Sequence, residues 1–214
     1  KKENINFLVI GKGSNIILPD EDFDGVLILL DNLNKYVIKD NVVEVEAGII
    51  LGTFIMNLVN NSLGGLENLC GIPGTLGGAI VGNAGCYGSL ISDYIVSITY
   101  LENGTIKTIS KNDCKFSYRN SIFKRDKNKI ILSCKFELYK SNKEDMLEKV
   151  KENMLKRKNS QPIEYPNAGS VFRNPKNLSA GKLIEESNLK NYNVGGAYVS
   201  DKHANFIINK DSAK

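Results

Sequence analysis

The sequence predicts an α+β protein in two parts, residues 1–140 and 141–214. Three observations carry that expectation. Short runs of β-branched and aliphatic residues recur as far as Tyr139, each bounded by Gly, Asn or Asp, as strands are. Helical spacing replaces strand spacing in only a few stretches. Where the strand signals of the first part stop, Ser141-Asn142-Lys143-Glu144 has the form of a capping box opening a long helix.

Residues 6–10 read as a strand that runs into Gly11-Lys12-Gly13-Ser14-Asn15 and resumes at Ile16-Ile17-Leu18, so that the glycines join two extended segments. Strands follow at residues 26–29, 36–39 and 42–47, the last two joined by a hairpin turn at Asp40-Asn41. Residues 53–61 carry Phe54, Ile55, Leu58 and Val59 at helical spacing, with Gly64 placed as a C-cap glycine. Residues 97–101 and 105–109 flank Glu102-Asn103-Gly104, a hairpin signal, and a long strand at 130–139 closes the first part. The helix beyond it puts Met146, Leu147, Val150, Met154 and Leu155 on one face. After a proline-punctuated loop at 160–166, the tail mixes strands at 168–172, 194–199 and 205–209 with a helix near 181–187.

Composition narrows the function. The 214 residues are 42% hydrophobic and 24% charged, ordinary for a globular protein, and no apolar run is long enough to span a bilayer. A net charge of +4 suits an anionic small molecule and falls short of a nucleic-acid footprint. The basic stretch from Lys149 to Lys158 is interrupted by Glu152 and an apolar stripe, the pattern of a solvated helix face. Four scattered cysteines without a C-x-x-C pair, and one His, leave no zinc site of the usual kind; they read as reduced thiols of a cytoplasmic protein. The start, Lys1-Lys2-Glu3-Asn4, has neither an initiator Met nor a signal core, and the natural N-terminus is expected upstream.

Two nucleotide motifs fail. Gly11-Lys12-Gly13 starts like a dinucleotide-binding turn, but Ile16 stands at its sixth position and a strand is expected where the helix should begin. A P-loop needs Gly-Lys followed by Ser or Thr, and here Gly13 and Leu183 follow the two Gly-Lys pairs. What remains is the first glycine turn and a dense second arc, in which nine of the chain's 19 glycines fall between Gly64 and Gly88. Glycine lets backbone N–H groups approach a ligand, so the two arcs could hold an extended dinucleotide; two tight structural turns account for them as readily.

The second arc, Gly71-Ile72-Pro73-Gly74-Thr75-Leu76-Gly77-Gly78-Ala79 with Asn83-Ala84-Gly85-Cys86-Tyr87-Gly88, resembles the UDP-N-acetylenolpyruvoylglucosamine reductases, flavoenzymes of the vanillyl-alcohol oxidase superfamily. So do Gly11–Asn15, Tyr118-Arg119-Asn120-Ser121, Ala168-Gly169-Ser170-Val171-Phe172-Arg173-Asn174-Pro175, Ala180–Glu185 and Val199–Phe206, in family order across the chain. The resemblance implies a FAD-binding domain of the vanillyl-alcohol oxidase type at 1–140 and a smaller α+β substrate domain at 141–214, in the subtype without an extra substrate-covering loop. It also implies truncation at both ends, with a leading flavin-domain portion and a catalytic Glu of the family outside these residues. The implied reaction is NADPH-dependent reduction of an enolpyruvyl sugar nucleotide through tightly bound FAD. Its expected catalytic groups are Ser170, as proton donor, and Arg119, as carboxylate clamp. Asn174, His203, Arg173 and Tyr118 would bind substrate. Gly11, Gly13, Ser14, Asn15, Pro73, Gly74, Gly78, Asn83 and Gly85 would meet FAD. The expected partner is a UDP-sugar, with neither nucleic acid nor membrane, and the enzyme a monomer. The alternatives are another FAD oxidoreductase of the superfamily, an oxidase of small phenols or alcohols for example, and a non-catalytic nucleotide-binding module.

Overall fold

The computed structural model describes residues 5–213. By contacts, residues up to Lys12 with Phe23–Asn153 make one unit, and Gly13–Asp22 with the residues from Met154 onward make a second.

In the first unit β1 (Phe7–Ile10) pairs in parallel with β2 (Val26–Leu29). β3 (Tyr36–Lys39) and β4 (Val42–Glu46) form the expected hairpin, with Asp40 taking the left-handed turn position at φ 56°. Then come α1 (Leu51–Asn60), β5 (Leu63–Gly64), α2 (Leu76–Val81) and the small hairpin β6 (Gly85–Cys86) and β7 (Ser89–Leu90). β8 (Ile95–Glu102) and β9 (Thr105–Ser110) turn at Asn103 and Gly104, both with positive φ. After α3 (Ile122–Arg125), the strand β10 (Lys129–Glu137) is followed by β11 (Tyr139–Lys140) and the long helix α4 (Lys143–Ser160). One antiparallel sheet of order β3-β4-β10-β8-β9 is the frame.

Alternation makes this sheet one-sided. Val43 and Val45 of β4 are buried while Glu44 is exposed, and Ile131, Cys134 and Phe136 of β10 join them in the core. Against that face α1 presents Leu51, Phe54, Ile55, Leu58 and Val59; the Phe54 and Phe136 rings lie 5.9 Å apart. Burial raises the pKa of two core thiols, Cys134 well above its ordinary value and Cys114 to about 11. Both are held as neutral thiols, poor nucleophiles.

The second unit is a four-stranded antiparallel sheet, order β12-β15-β14-β13, with one helix. Its elements are β12 (Asn167–Ser170), α5 (Ala180–Glu186), β13 (Asn193–Val194), β14 (Ala197–Val199) and β15 (Phe206–Asn209). The stretch read as one strand at 194–199 is two, because Gly195 at φ 55° reverses the chain.

Three other expectations are corrected. Ile16–Leu18 is not a strand; Ile17 is 82% exposed and no neighbouring strand takes up the run. The left-handed residue beyond α1 is Ser62 at φ 56°, while Gly64 pairs with Tyr139, whose ring leaves no room for a Cβ. Asn142, not Ser141, caps α4, its Oδ1 accepting the Asp145 N–H at 3.1 Å. Met146 and Val150 are buried with the first core while Met154 and Leu155 are 47% and 59% exposed, and the two units defined by contacts part inside α4, after Asn153.

Candidate active site

In the first unit Gly11 meets the second glycine arc. A Cβ on Gly11 would lie 2.5 Å from Thr75 Oγ1, closer than any side-chain carbon can sit, so only glycine allows the approach. Thr75 Oγ1 also accepts the Gly78 N–H at 3.3 Å and thereby caps α2. Between Pro73 and Thr75, Gly74 sits at φ 119°, where side chains other than hydrogen are strained. Its carbonyl accepts the Leu51 N–H at 3.1 Å, whereas the amides of Gly74 and Thr75 have no acceptor among the described residues. Two unspent donors beside a glycine at φ 119° suit the close approach of a dinucleotide backbone. The residues present therefore fit FAD. Gly13, at φ 69°, turns the chain so that its carbonyl accepts the Ile16 N–H at 3.3 Å, with Ser14 half-buried and Asn15 exposed beside it.

Arg119 stands on a turn locked by reciprocal Ser117 and Asn120 backbone hydrogen bonds, both 3.1 Å, and itself takes φ 55°. Its Nη2 donates to the Gly85 carbonyl at 3.1 Å, and its guanidinium carbon lies 5.6 Å from the Tyr118 ring centre. Asn83, 1% exposed, donates from Nδ2 to the Ser117 carbonyl at 3.1 Å; its Oδ1 is buried without a partner among the described residues. The backbone N–H of Asn83 goes to Ile80 at 3.1 Å. The end of the second glycine arc is thus tied to the turn that carries Arg119.

In the second unit Asn167 Oδ1 accepts the Gly169 N–H at 2.9 Å, Gly169 takes φ 80°, and the register against β15 is irregular just there. Ser170 is presented exposed at this bulge. Beyond it Asn205, buried, grips Phe172 from both sides: Oδ1 accepts its N–H at 2.9 Å and Nδ2 donates to its carbonyl at 2.8 Å. Asn174 Oδ1 accepts the Ala180 N–H at 3.1 Å at the start of α5, and Arg173 is exposed. The ring of His203 lies 4.6 Å from that of Phe206, and a Cβ on Gly181 would come within 3.3 Å of it. Ser200 Oγ accepts the Lys202 and His203 N–H groups at 3.1 and 3.3 Å. A cleft of about 780 Å³ in this unit is lined by Lys158, Asn159, Ile163, Glu164 and Lys202.

His203 Nδ1 accepts the Asn205 N–H at 3.2 Å, which requires a neutral imidazole. Burial, the largest cause, lowers its pKa below the ordinary 6.5. A depressed folded-state value means that this contribution to stability is complete above about pH 6.5 and is lost as the unfolded chain takes up its proton below that. The melting temperature is therefore expected to fall faster from about pH 6.5 downward in the parent than in a His203→Gln variant. The lone imidazole should titrate by NMR below 6.5; a midpoint above that value would reverse the assignment.

Sequence reasoning singled out neither Thr75 nor Asn205. Thr75 lies next to Gly74 and Asn205 two residues from His203, and the role of each depends on what the fold brings to it. The charged cleft was missed as well, since its lysines are separated by more than forty residues.

Residues 161–214 match the family model described as UDP-N-acetylenolpyruvoylglucosamine reductase, C-terminal domain, and residues 1–110 match the FAD binding domain. The chain is 41% identical over 214 residues to the UDP-N-acetylenolpyruvoylglucosamine reductase of Fervidobacterium nodosum, covering 100% of this chain and 69% of that protein. To the protein of the same name from Carboxydothermus hydrogenoformans it is 45% identical over 211 residues, 98% of this chain and 70% of the relative. Among solved structures it is similar to UDP-N-acetylenolpyruvylglucosamine reductase from Thermus caldophilus, with a TM-score of 0.88, 32% identity, and coverage of 99% of this chain and 77% of that one. It shares the fold alone with 6-hydroxy-D-nicotine oxidase from Arthrobacter nicotinovorans, at a TM-score of 0.50 and 20% identity over 65% of this chain and 32% of that one.

Proposed function

The chain belongs to the UDP-N-acetylenolpyruvoylglucosamine reductase family, and from that premise we propose that Arg119 and Ser170 carry its chemistry. The reaction is the NADPH-dependent reduction of the enolpyruvyl ether of a UDP-N-acetylglucosamine derivative to UDP-N-acetylmuramate, a step toward peptidoglycan. The observation that carries the cofactor assignment is the pair of unspent amides at Gly74 and Thr75, with Gly74 held at φ 119°.

FAD, when bound, supplies the hydride carrier between NADPH and the enolpyruvyl carbon. Gly11, Pro73, Gly74 and Gly78 would hold it, with Gly13, Ser14 and Asn15 following Gly11 in sequence. Asn83 and Gly85 shape the end of the same arc. When the terminal carbon gains a hydride, negative charge appears on the carbon beside the carboxylate. A guanidinium keeps its proton at any working pH, so Arg119 can hold the carboxylate and oppose that charge. Ser170, exposed on its bulge, holds a hydroxyl proton for the carbon. Tyr118, Arg173, Asn174 and His203 bind the sugar nucleotide, and Lys158 with Lys202 offers further positive charge for its diphosphate. The reading places the enzyme in the cytoplasm as a monomer, without nucleic acid or membrane as partner. No helix among the described residues is long and apolar enough to cross a bilayer.

The test is spectroscopic. The purified protein is expected to be yellow, to be bleached by NADPH, and to regain colour without oxygen when the UDP-linked enolpyruvyl substrate is added, giving UDP-N-acetylmuramate by mass. Bleaching by an alcohol or phenol in place of NADPH, with colour recovered only in dioxygen, would make it an oxidase. A folded protein that takes up no flavin would make it a binding module.

A further inference from the structure

We propose that Ser121 is a positioning residue that sets the direction of Arg119 by tying its turn to the end of α2. The proposal rests on the reading of Arg119 as the carboxylate clamp. Ser121 is 0% exposed and two residues beyond Arg119. Its Oγ accepts the Lys124 N–H at 3.3 Å, the ordinary work of a helix cap at α3. The same hydroxyl donates to the Val81 carbonyl at 2.8 Å, forty residues away in sequence. A cap requires only an acceptor, so the donated bond has another consequence: it holds the turn from the far side.

Two further ties bring the turn to the same stretch. Asn83 Nδ2 donates to the Ser117 carbonyl upstream of Arg119, and Arg119 Nη2 reaches the Gly85 carbonyl, both at 3.1 Å. Arg119 needs such bracing because its φ of 55° lies where a long side chain is uncommon, and such a residue stays put only when its surroundings over-determine it. Since Ser121 is sealed from solvent, water cannot replace its hydroxyl.

Losing the tie should separate charge from aim. A guanidinium left near the carboxylate still attracts it, while stabilisation of the transition state depends on orientation. Ser121→Ala is therefore expected to lower kcat about tenfold, roughly one lost hydrogen bond, with KM changed less than about threefold. Binding of UDP-N-acetylmuramate by calorimetry should stay within about threefold, and bleaching of bound flavin by NADPH should keep its rate. Ser121→Cys, with a weaker donor, should lose less. In an Arg119→Ala background the Ser121 substitution should have no further effect. If Ser121→Ala does not fold, Ser121→Cys is measured alone and in the Arg119→Ala background, with the same expectation of a loss that vanishes without Arg119. A fall in bleaching equal to the fall in turnover, or a loss undiminished in the Arg119→Ala background, would reduce Ser121 to a cap and overturn the proposal. If Arg119→Ala alone leaves substrate kinetics intact, the clamp reading fails and takes the proposal with it.

Discussion

Ser170→Ala is expected to leave the bleaching of bound flavin by NADPH at its parental rate and to cut turnover by about 10²- to 10⁴-fold, the range for losing a positioned acid. The split follows from when the proton is needed. NADPH delivers its hydride before the enolpyruvyl group is touched, so nothing in that step calls on a proton for carbon. Only after the substrate's terminal carbon has been reduced does the neighbouring carbon require one. The fold makes the test clean, because Ser170 is exposed at an irregular point of β12. Removing one oxygen there should shift stability by less than about 0.5 kcal/mol. Ser170→Cys should recover part of the loss, since a thiol also donates a proton. Stopped-flow absorbance separates the two steps. If Ser170→Ala slows bleaching while conversion of substrate proceeds normally, Ser170 is not the donor.

Gly74→Val is expected to abolish flavin binding and with it all turnover. At φ 119° a β-branched side chain is strained in itself, at a cost of roughly 1–3 kcal/mol. That is a large part of the 5–15 kcal/mol by which a domain is stable, yet smaller than the whole, so a folded variant should be recoverable at low temperature. The flavin meets a harder limit: a branched carbon would stand next to the unspent amides of Gly74 and Thr75, where a ligand's backbone contacts have no room to retreat. The ratio of flavin to protein absorbance, read beside circular dichroism, decides the matter. Native dichroism with full flavin content would remove this loop from the cofactor site.

Strands were read well where turn chemistry bounded them. Asp40-Asn41 and Asn103-Gly104 demand positive φ and mark their hairpins, and both appear where expected. Errors arose where a local signal needed a partner that only the fold supplies. Ile16–Leu18 has strand composition but no neighbouring strand among the described residues to pair with. In the glycine arc several close approaches are internal: Gly77 against Ala47, Gly65 against Tyr94, Gly85 against Leu90. For the site, the chemistry of a guanidinium supports Arg119 as a carboxylate partner once the resemblance has pointed to it. Ser170 could come only through resemblance, because a serine after Gly169 looks like any turn residue. The bracing of Arg119 was out of reach, since Val81 and Ser121 become neighbours only when α2 and α3 pack together.

The placement of β10 has a consequence for biosynthesis. This strand lies between β4 and β8 in the sheet, yet it follows both in sequence. A nascent chain emerging from its N-terminal end exposes β3-β4 and β8-β9 as two separate hairpins, each with an unpaired edge, until Glu137 has left the ribosome. Open edges of this kind invite pairing with other chains, and isolated hairpins are marginal in water. Apolar side chains such as Phe54 meanwhile await the face that Phe136 completes. The slow, aggregation-exposed interval in making this protein is therefore the synthesis of residues 111–137. A ribosome stalled before β10 should carry a chain bound by chaperones, whereas one stalled well beyond it should carry a protease-resistant sheet.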